Sequence, residues 1–224
     1  MLRNERPACE GASGLKDEDK ARGIYVAIEG IDGSGKTAVA RALNNTLALK
    51  GYTTAIVREP YSEEIRRILS LFPDLDPLVE AYLFAADRML LHYTVLKPLL
   101  EKREIVISDR SYVASLVYQT VRGAPREAVE ALNAHCIKPD VVFLLDLPVE
   151  VAVERLEKKR GRQLRHLERR ELLPMLREGY LRLAREWADK IKIVDATRPV
   201  SEIVEAVVSE IEVMVRRAES PSVE

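Results

Sequence analysis

Cysteine, histidine and aromatic residues are scarce in this chain of 224 residues. Two cysteines, Cys9 and Cys136, exclude a disulfide framework and fit a reducing cytoplasm. Three histidines, His92, His135 and His166, lie far apart without ligand spacing, so none is assigned a metal or base role. An excess of one charge is also missing. With 35 basic and 36 acidic side chains the net charge is −1, and no global basic field argues for nucleic acid. No apolar run reaches the roughly eighteen residues that a membrane span requires. Residues 1–22 are polar, lack the apolar middle of a secretion signal, and are expected to form a disordered or weakly docked extension. Glutamine occurs only at Gln119 and Gln163 while 32% of the residues are charged, a balance that leans toward a heat-adapted protein.

What the chain does contain is Tyr25-Val26-Ala27-Ile28-Glu29-Gly30-Ile31-Asp32-Gly33-Ser34-Gly35-Lys36-Thr37, a short apolar strand running into G-x-x-x-x-G-K-T. This is the pattern of a phosphate-binding loop. Glycines let successive backbone N–H groups from Gly30 to Gly35 curl around an anionic phosphate chain. A helix starting near Gly35 would aim its positive end at the same phosphates. Lys36 would reach the terminal phosphates of ATP, and Thr37 would offer its hydroxyl to Mg²⁺.

Further strand-like runs recur at regular intervals: Ile24–Ile28, Thr53–Val57, Ile105–Ser108, Val141–Leu145 and Ile191–Val194. Most are continuously apolar, as parallel strands covered on both faces should be. Helical patterns fill Gly35–Lys50, Ser62–Leu71, Leu78–Arg103, Ser111–Arg122, Pro125–Ile137, Pro148–Lys158, Arg169–Lys190 and Pro199–Ala218. This alternation predicts one α/β domain over residues 23–218, a doubly wound three-layer sandwich on a parallel five-stranded sheet, with 219–224 as a tail. Ligands in such sheets bind beyond the carboxyl ends of the strands.

Three strand ends drop abruptly into charge: Glu29 with the phosphate loop, Arg58-Glu59-Pro60, and Asp109-Arg110. Asp109 is placed to organise Mg²⁺, a role compatible with capping the helix that begins near Ser111. Arg110 would bridge a transferring or accepting phosphate, or else form a surface ion pair. Phe84 and Arg88, four residues apart, share a helix face. That pairing suits a nucleotide base and phosphate, although Phe84 serves equally well as core. The basic stretch Glu157–His166, with its glycine hinge at Gly161, reads as a mobile lid over about residues 158–168 that carries arginines onto phosphates.

Together these segments resemble the thymidylate kinase family. The resemblance rests on Glu29–Thr37, Arg58-Glu59-Pro60, Leu83–Arg88, Asp109-Arg110 with Ser115 and Tyr118-Gln119, and Asp195-Ala196-Thr197-Arg198, in family order from about Ile24 to Ala218. It implies transfer of the γ-phosphoryl group of ATP to dTMP in a P-loop kinase fold, typically a homodimer. Lys36 and the loop amides would hold ATP, Thr37 and Asp109 the Mg²⁺, the latter through water. Asp32 would contact the acceptor sugar, and Arg58, Arg88 and Arg110 its phosphate. Phe84 would stack on thymine, with Ser115, Tyr118 and Gln119 lining the pocket. Ala196, Thr197 and Arg198 would flank adenine. Some members carry an arginine where this chain has Gly33 and need no lid arginine; here Arg160 or Arg162 would serve.

Two departures leave the acceptor open. Tyr61-Ser62-Glu63 follows Arg-Glu-Pro where glycines are common, and Ser111 follows Asp-Arg where an aromatic is common. Asp-Arg-Ser also resembles the deoxynucleoside kinases, in which Glu59 would be the base. A kinase for another monophosphate and a nucleotide-dependent switch without transferase activity complete the alternatives.

Overall fold

The computed structural model of the protein describes residues 22–160 and 171–219. Five strands form an all-parallel sheet: β1 (Ile24–Glu29), β2 (Thr54–Arg58), β3 (Ile105–Asp109), β4 (Val141–Asp146) and β5 (Ile191–Asp195). Their order is β2-β3-β1-β4-β5. The strand that comes first in the sequence is thus central, and the loop that leaves it opens at the middle of the rim. β1 and β3 are buried along their whole length and β4 nearly so, matching their unbroken apolar sequences. The edge strands depart from that expectation: Ile56 of β2 and Ile193 of β5 are exposed.

Helices cover both faces. They are α1 (Lys36–Leu49), α2 (Glu63–Leu71), α3 (Pro77–Leu91), α4 (Lys97–Glu101), α5 (Tyr112–Val121), α6 (Arg126–Leu132), α7 (Val149–Arg160), α8 (Leu172–Glu186) and α9 (Val200–Glu219). α1 and α9 pack together as one layer, while α3, α5 and α8 lie side by side in the other. Gly179 lets α8 approach α5, since a Cβ there would stand 3.0 Å from Val117.

Two predicted helices change shape. The expected span Leu78–Arg103 is two helices joined by a π-turn at His92–Leu96. Pro98 has no N–H and its ring collides with the carbonyl four residues back, so the turn widens before it. The expected helix Pro125–Ile137 stops at Leu132. There the Asn133 side-chain amide donates to the Val129 carbonyl at 2.7 Å. Its backbone N–H tightens onto Glu130 at 3.1 Å, and the ladder ends. The expected Arg169–Lys190 is observed as Leu172–Glu186 within the described residues.

Candidate active site

The loop between β1 and α1 turns on glycines that admit no side chain. Gly30 has φ 141°, and a Cβ there would lie 2.6 Å from the Leu145 carbonyl oxygen. Gly33 has φ 88°, and a Cβ would run into the Ala152 main chain of α7. This explains why arginine cannot stand at Gly33 while α7 keeps its place. Gly35 precedes α1 with no side-chain cap, leaving first-turn amides for an anion. Lys36 is buried. Its Nζ donates to the carbonyls of Gly30 at 2.8 Å and Ile31 at 2.9 Å and lies 3.8 Å from the Asp32 carboxylate. Burial, and then the Arg110 charge, push the ammonium down to about 8 despite the offsetting acids Asp32, Asp109 and Glu29.

Register brings the other strand ends to this loop. Asp109 of β3 is flanked by Ile28 of β1 and Arg58 of β2. Thr37 Oγ1 donates to Asp109 Oδ2 at 2.5 Å. The helix-capping role goes to the next residue but one: Ser111 Oγ accepts from the Val113 N–H at 3.3 Å and caps α5. Asp109 is therefore available for the Thr37 side of the site. A hydroxyl and a carboxylate oxygen form a hard donor set that fits Mg²⁺, which keeps most of its waters and takes phosphate oxygens. Among the described residues no group of three or more His, Cys, Asp or Glu side chains is arranged to hold a metal by itself.

Arg110 turns in the left-handed region, φ 80°, a conformation that costs a non-glycine residue energy. Its N–H donates to the Ile28 carbonyl at 3.1 Å. The guanidinium then reaches Asp32 at 2.5 Å and lies 4.8 Å from the Tyr118 ring centre. Tyr118 Oη is 3.3 Å from the same guanidinium nitrogen and 3.5 Å from Asp32. Asp32, Arg110 and Tyr118 thus converge beside Lys36.

On the β2–β3 side the contacts are made by buried side chains. Glu59 Oε2 accepts from Arg88 Nε at 2.8 Å and Nη2 at 2.6 Å. Arg88 Nη2 also donates to Ser115 Oγ at 3.2 Å, and Nη1 donates to Asn133 Oδ1. The Glu59–Pro60 peptide is cis. Burial raises the Glu59 carboxyl, and Arg88 works against that rise. A phosphate would therefore have to compete with Glu59 for the fork of Arg88. Arg58 differs: its side chain is 62% exposed, 3.8 Å from Asp109. Phe84, one turn before Arg88, is half-buried and stands outside both apolar clusters of the core. Gln119 is buried against Glu80, to which its amide donates at 3.2 Å.

At the β4–β5 end, Ala196 is buried with both main-chain groups engaged. Its N–H donates to the Asp146 carbonyl at 2.8 Å, and its carbonyl accepts from Arg155 at 3.0 Å. Thr197 donates through N at 2.9 Å and Oγ1 at 2.6 Å to Asp195. Arg198 is exposed and pairs with Glu202 at 2.6 Å. Of the predicted lid, Arg162 and the Arg160 side chain lie outside the described residues, as do residues 1–21 and 220–224.

Three buried polar positions beside the site carry too faint a sequence signal to be assigned a role. Glu29 ends an apolar strand, and its buried carboxylate accepts from Ser111 N at 2.7 Å, Ser111 Oγ at 2.8 Å and Tyr180 Oη at 2.9 Å. This pins the phosphate loop to α5 and α8, and explains serine after Asp-Arg. Asp87 accepts from Tyr61 N at 2.5 Å and Ser62 N at 2.8 Å, holding the turn after Pro60 without glycines. Asn133 has no motif at all.

The family model described as thymidylate kinase matches residues 28–207. A probable thymidylate kinase 1 from Saccharolobus solfataricus is 38% identical over 181 residues, 80% of this chain and 92% of the relative. Probable thymidylate kinases from Thermococcus gammatolerans and Pyrococcus abyssi are 37% and 36% identical, covering 81% and 84% of this chain and 92% and 95% of their own lengths. The loop, the three charged strand ends and the turn after β5 all fall inside the matched span. The chain belongs to the thymidylate kinase family.

Proposed function

We propose that the protein transfers the γ-phosphoryl group of ATP to the 5′-phosphate of dTMP, giving dTDP and ADP. The observation that carries this reading is the meeting of Lys36, Thr37, Asp109 and Arg110 at one rim, with the buried Arg88–Ser115 contact on the β2–β3 side and Phe84 one helical turn before Arg88. Both substrates are polyanions, so catalysis is mostly charge neutralisation and in-line positioning. Loop amides from Gly30 to Gly35 and the start of α1 hold the donor phosphates, and Lys36 follows the transferring group. Thr37 would hold Mg²⁺ and Asp109 would hold it through water; that ion would supply charge neutralisation on the phosphate oxygens. Asp32 meets the acceptor sugar. Arg58, exposed, and Arg110, fixed over Tyr118, neutralise the acceptor phosphate. Arg88 and Ser115 build the acceptor wall, Gln119 backs it, and Phe84 stacks on the base. Ala196, Thr197 and Arg198 border the adenine, and Arg160 or Arg162 completes the neutralisation. The acceptor is already an oxyanion, so no strong general base is required, and Glu59, paired with Arg88, is poorly placed to be one.

A homodimer is part of this reading. Val79, Tyr82, Leu90 and Tyr93 are exposed along one side of α3 and its continuation, 46%, 59%, 48% and 66% respectively. With Ala86 they form a stripe of helical period, roughly 20 Å long, of the kind a second copy would cover. Tyr82→Glu should yield monomers in sedimentation. A cytoplasmic location is part of the same reading, supported by the nucleotide substrates it assigns and by the free Cys136 thiol.

An acceptor panel with ATP and Mg²⁺, followed by coupled ADP release, tests the activity. dTMP should turn over much faster than thymidine, dCMP or AMP. Faster phosphorylation of thymidine would return the reading to a deoxynucleoside kinase. Slow hydrolysis that no acceptor accelerates would favour the switch.

A further inference from the structure

Arg88 is 2% exposed, and its guanidinium is held on two edges. Glu59 grips Nε and Nη2, and Ser115 adds a contact to Nη2 at 3.2 Å. Among the described residues, the remaining nitrogen, Nη1, donates to Asn133 Oδ1 alone. Asn133 is 1% exposed at the end of α6, outside every motif that carries the family resemblance. Its amide orientation is settled by chemistry. Arginine offers only donors and the Val129 carbonyl only an acceptor, so Oδ1 must face Arg88 and Nδ2 must face Val129. The Asn133 main chain is fixed as well, because its carbonyl accepts from Lys138 Nζ at 2.7 Å. Lys138 in turn sits 3.8 Å from the centre of the Tyr112 ring.

We infer that Asn133 is a positioning residue for the acceptor nucleotide, acting through Arg88. A guanidinium gripped along one edge by a carboxylate can still swing about that edge, and a rigid acceptor on the opposite nitrogen stops the swing. Four of the five N–H groups of Arg88 are then committed, to Glu59, Ser115 and Asn133. The acceptor meets a guanidinium of fixed plane with one spare donor. Glu59 neutralises it, Ser115 levels it and Asn133 locks it. This rests on the reading that the acceptor pocket lies against Arg88 and Ser115.

The test is steady-state kinetics of the full chain and its variants, with dTMP and ATP varied separately. Asn133→Leu keeps the volume but removes the acceptor, and should raise the KM for dTMP about tenfold, since it leaves a charged donor unpaired. The KM for ATP should change less than about twofold, because the phosphate loop makes no contact with Asn133. Asn133→Asp retains an oxygen facing Nη1 and should recover most of the dTMP affinity. A residue that merely holds α6 in place would lower the melting temperature and the active fraction while leaving the two KM values in their original ratio; that result overturns the inference. Should Asn133→Leu not fold, the pair Asn133→Asp and Asn133→Ala decides, and equal KM values for dTMP in those two variants overturn it. A wild-type chain that does not phosphorylate dTMP would instead defeat the underlying reading, so the two failures are distinguishable.

Discussion

On the β1 side of the rim the working groups come from consecutive residues, Gly30 to Thr37, and most of them are main-chain groups held open because no Cβ fits at Gly30 or Gly33. On the β2–β3 side they come from Glu59, Arg88, Ser115 and Asn133, four separate stretches joined through one buried guanidinium. The two halves of the site therefore fail differently. Damage to the loop should remove chemistry and leave the fold intact. Damage to the buried network should cost stability and acceptor affinity together, because an uncompensated charge remains inside the protein.

The largest expected effect is on the loop side. Lys36→Ala removes the charge at the transferring group and should lower turnover by about two to three orders of magnitude with little change in melting temperature. Comparable turnover by the variant would show that the loop is not the donor site. Glu59→Ala sharpens the other half: stranding Arg88 in a dry site should cost about 3–5 kcal/mol in denaturant unfolding. A loss below about 1 kcal/mol would mean that the network is wet and the contrast between the halves is false. Phe84→Ala should raise the KM for dTMP several-fold, about one order of magnitude at most, and spare the KM for ATP. Equal shifts would return Phe84 to a packing role. The smallest effect is in pH. Lys36 is charged below about 8 and loses its proton above that value, because burial and Arg110 depress it. The profile of kcat/KM for ATP, which reports the free enzyme, should therefore fall on the alkaline side from about pH 8. A flat profile through pH 9.5 or so would contradict the burial of Lys36.

The same contrast explains what could be read from the sequence. The phosphate loop is contiguous, so its strand, glycines, lysine and threonine announce themselves, and the parallel sheet follows from apolar runs at regular spacing. Asp109 could be given both roles because sequence cannot say which neighbour caps α5; Ser111 does so and frees it. Arg88 could be placed on a face with Phe84, but its pairing with Glu59 joins residues 29 positions apart, and no local pattern encodes that contact. Asn133 and Asp87 were illegible for the same reason. The role of Asn133 exists only where α6 meets α3, and that of Asp87 only where α3 meets the turn after β2. Arg110 could be read as a phosphate ligand, whereas its left-handed backbone is set by the Ile28 carbonyl across the sheet.

The most direct measurement is a crystal structure with ADP, Mg²⁺ and dTMP bound together. The account predicts the dTMP phosphate between Arg58 and Arg110, its base on Phe84 and the ADP phosphates on the Gly30–Gly35 amides. A dTMP bound away from Arg110 and Phe84, with no path to the loop, would contradict it.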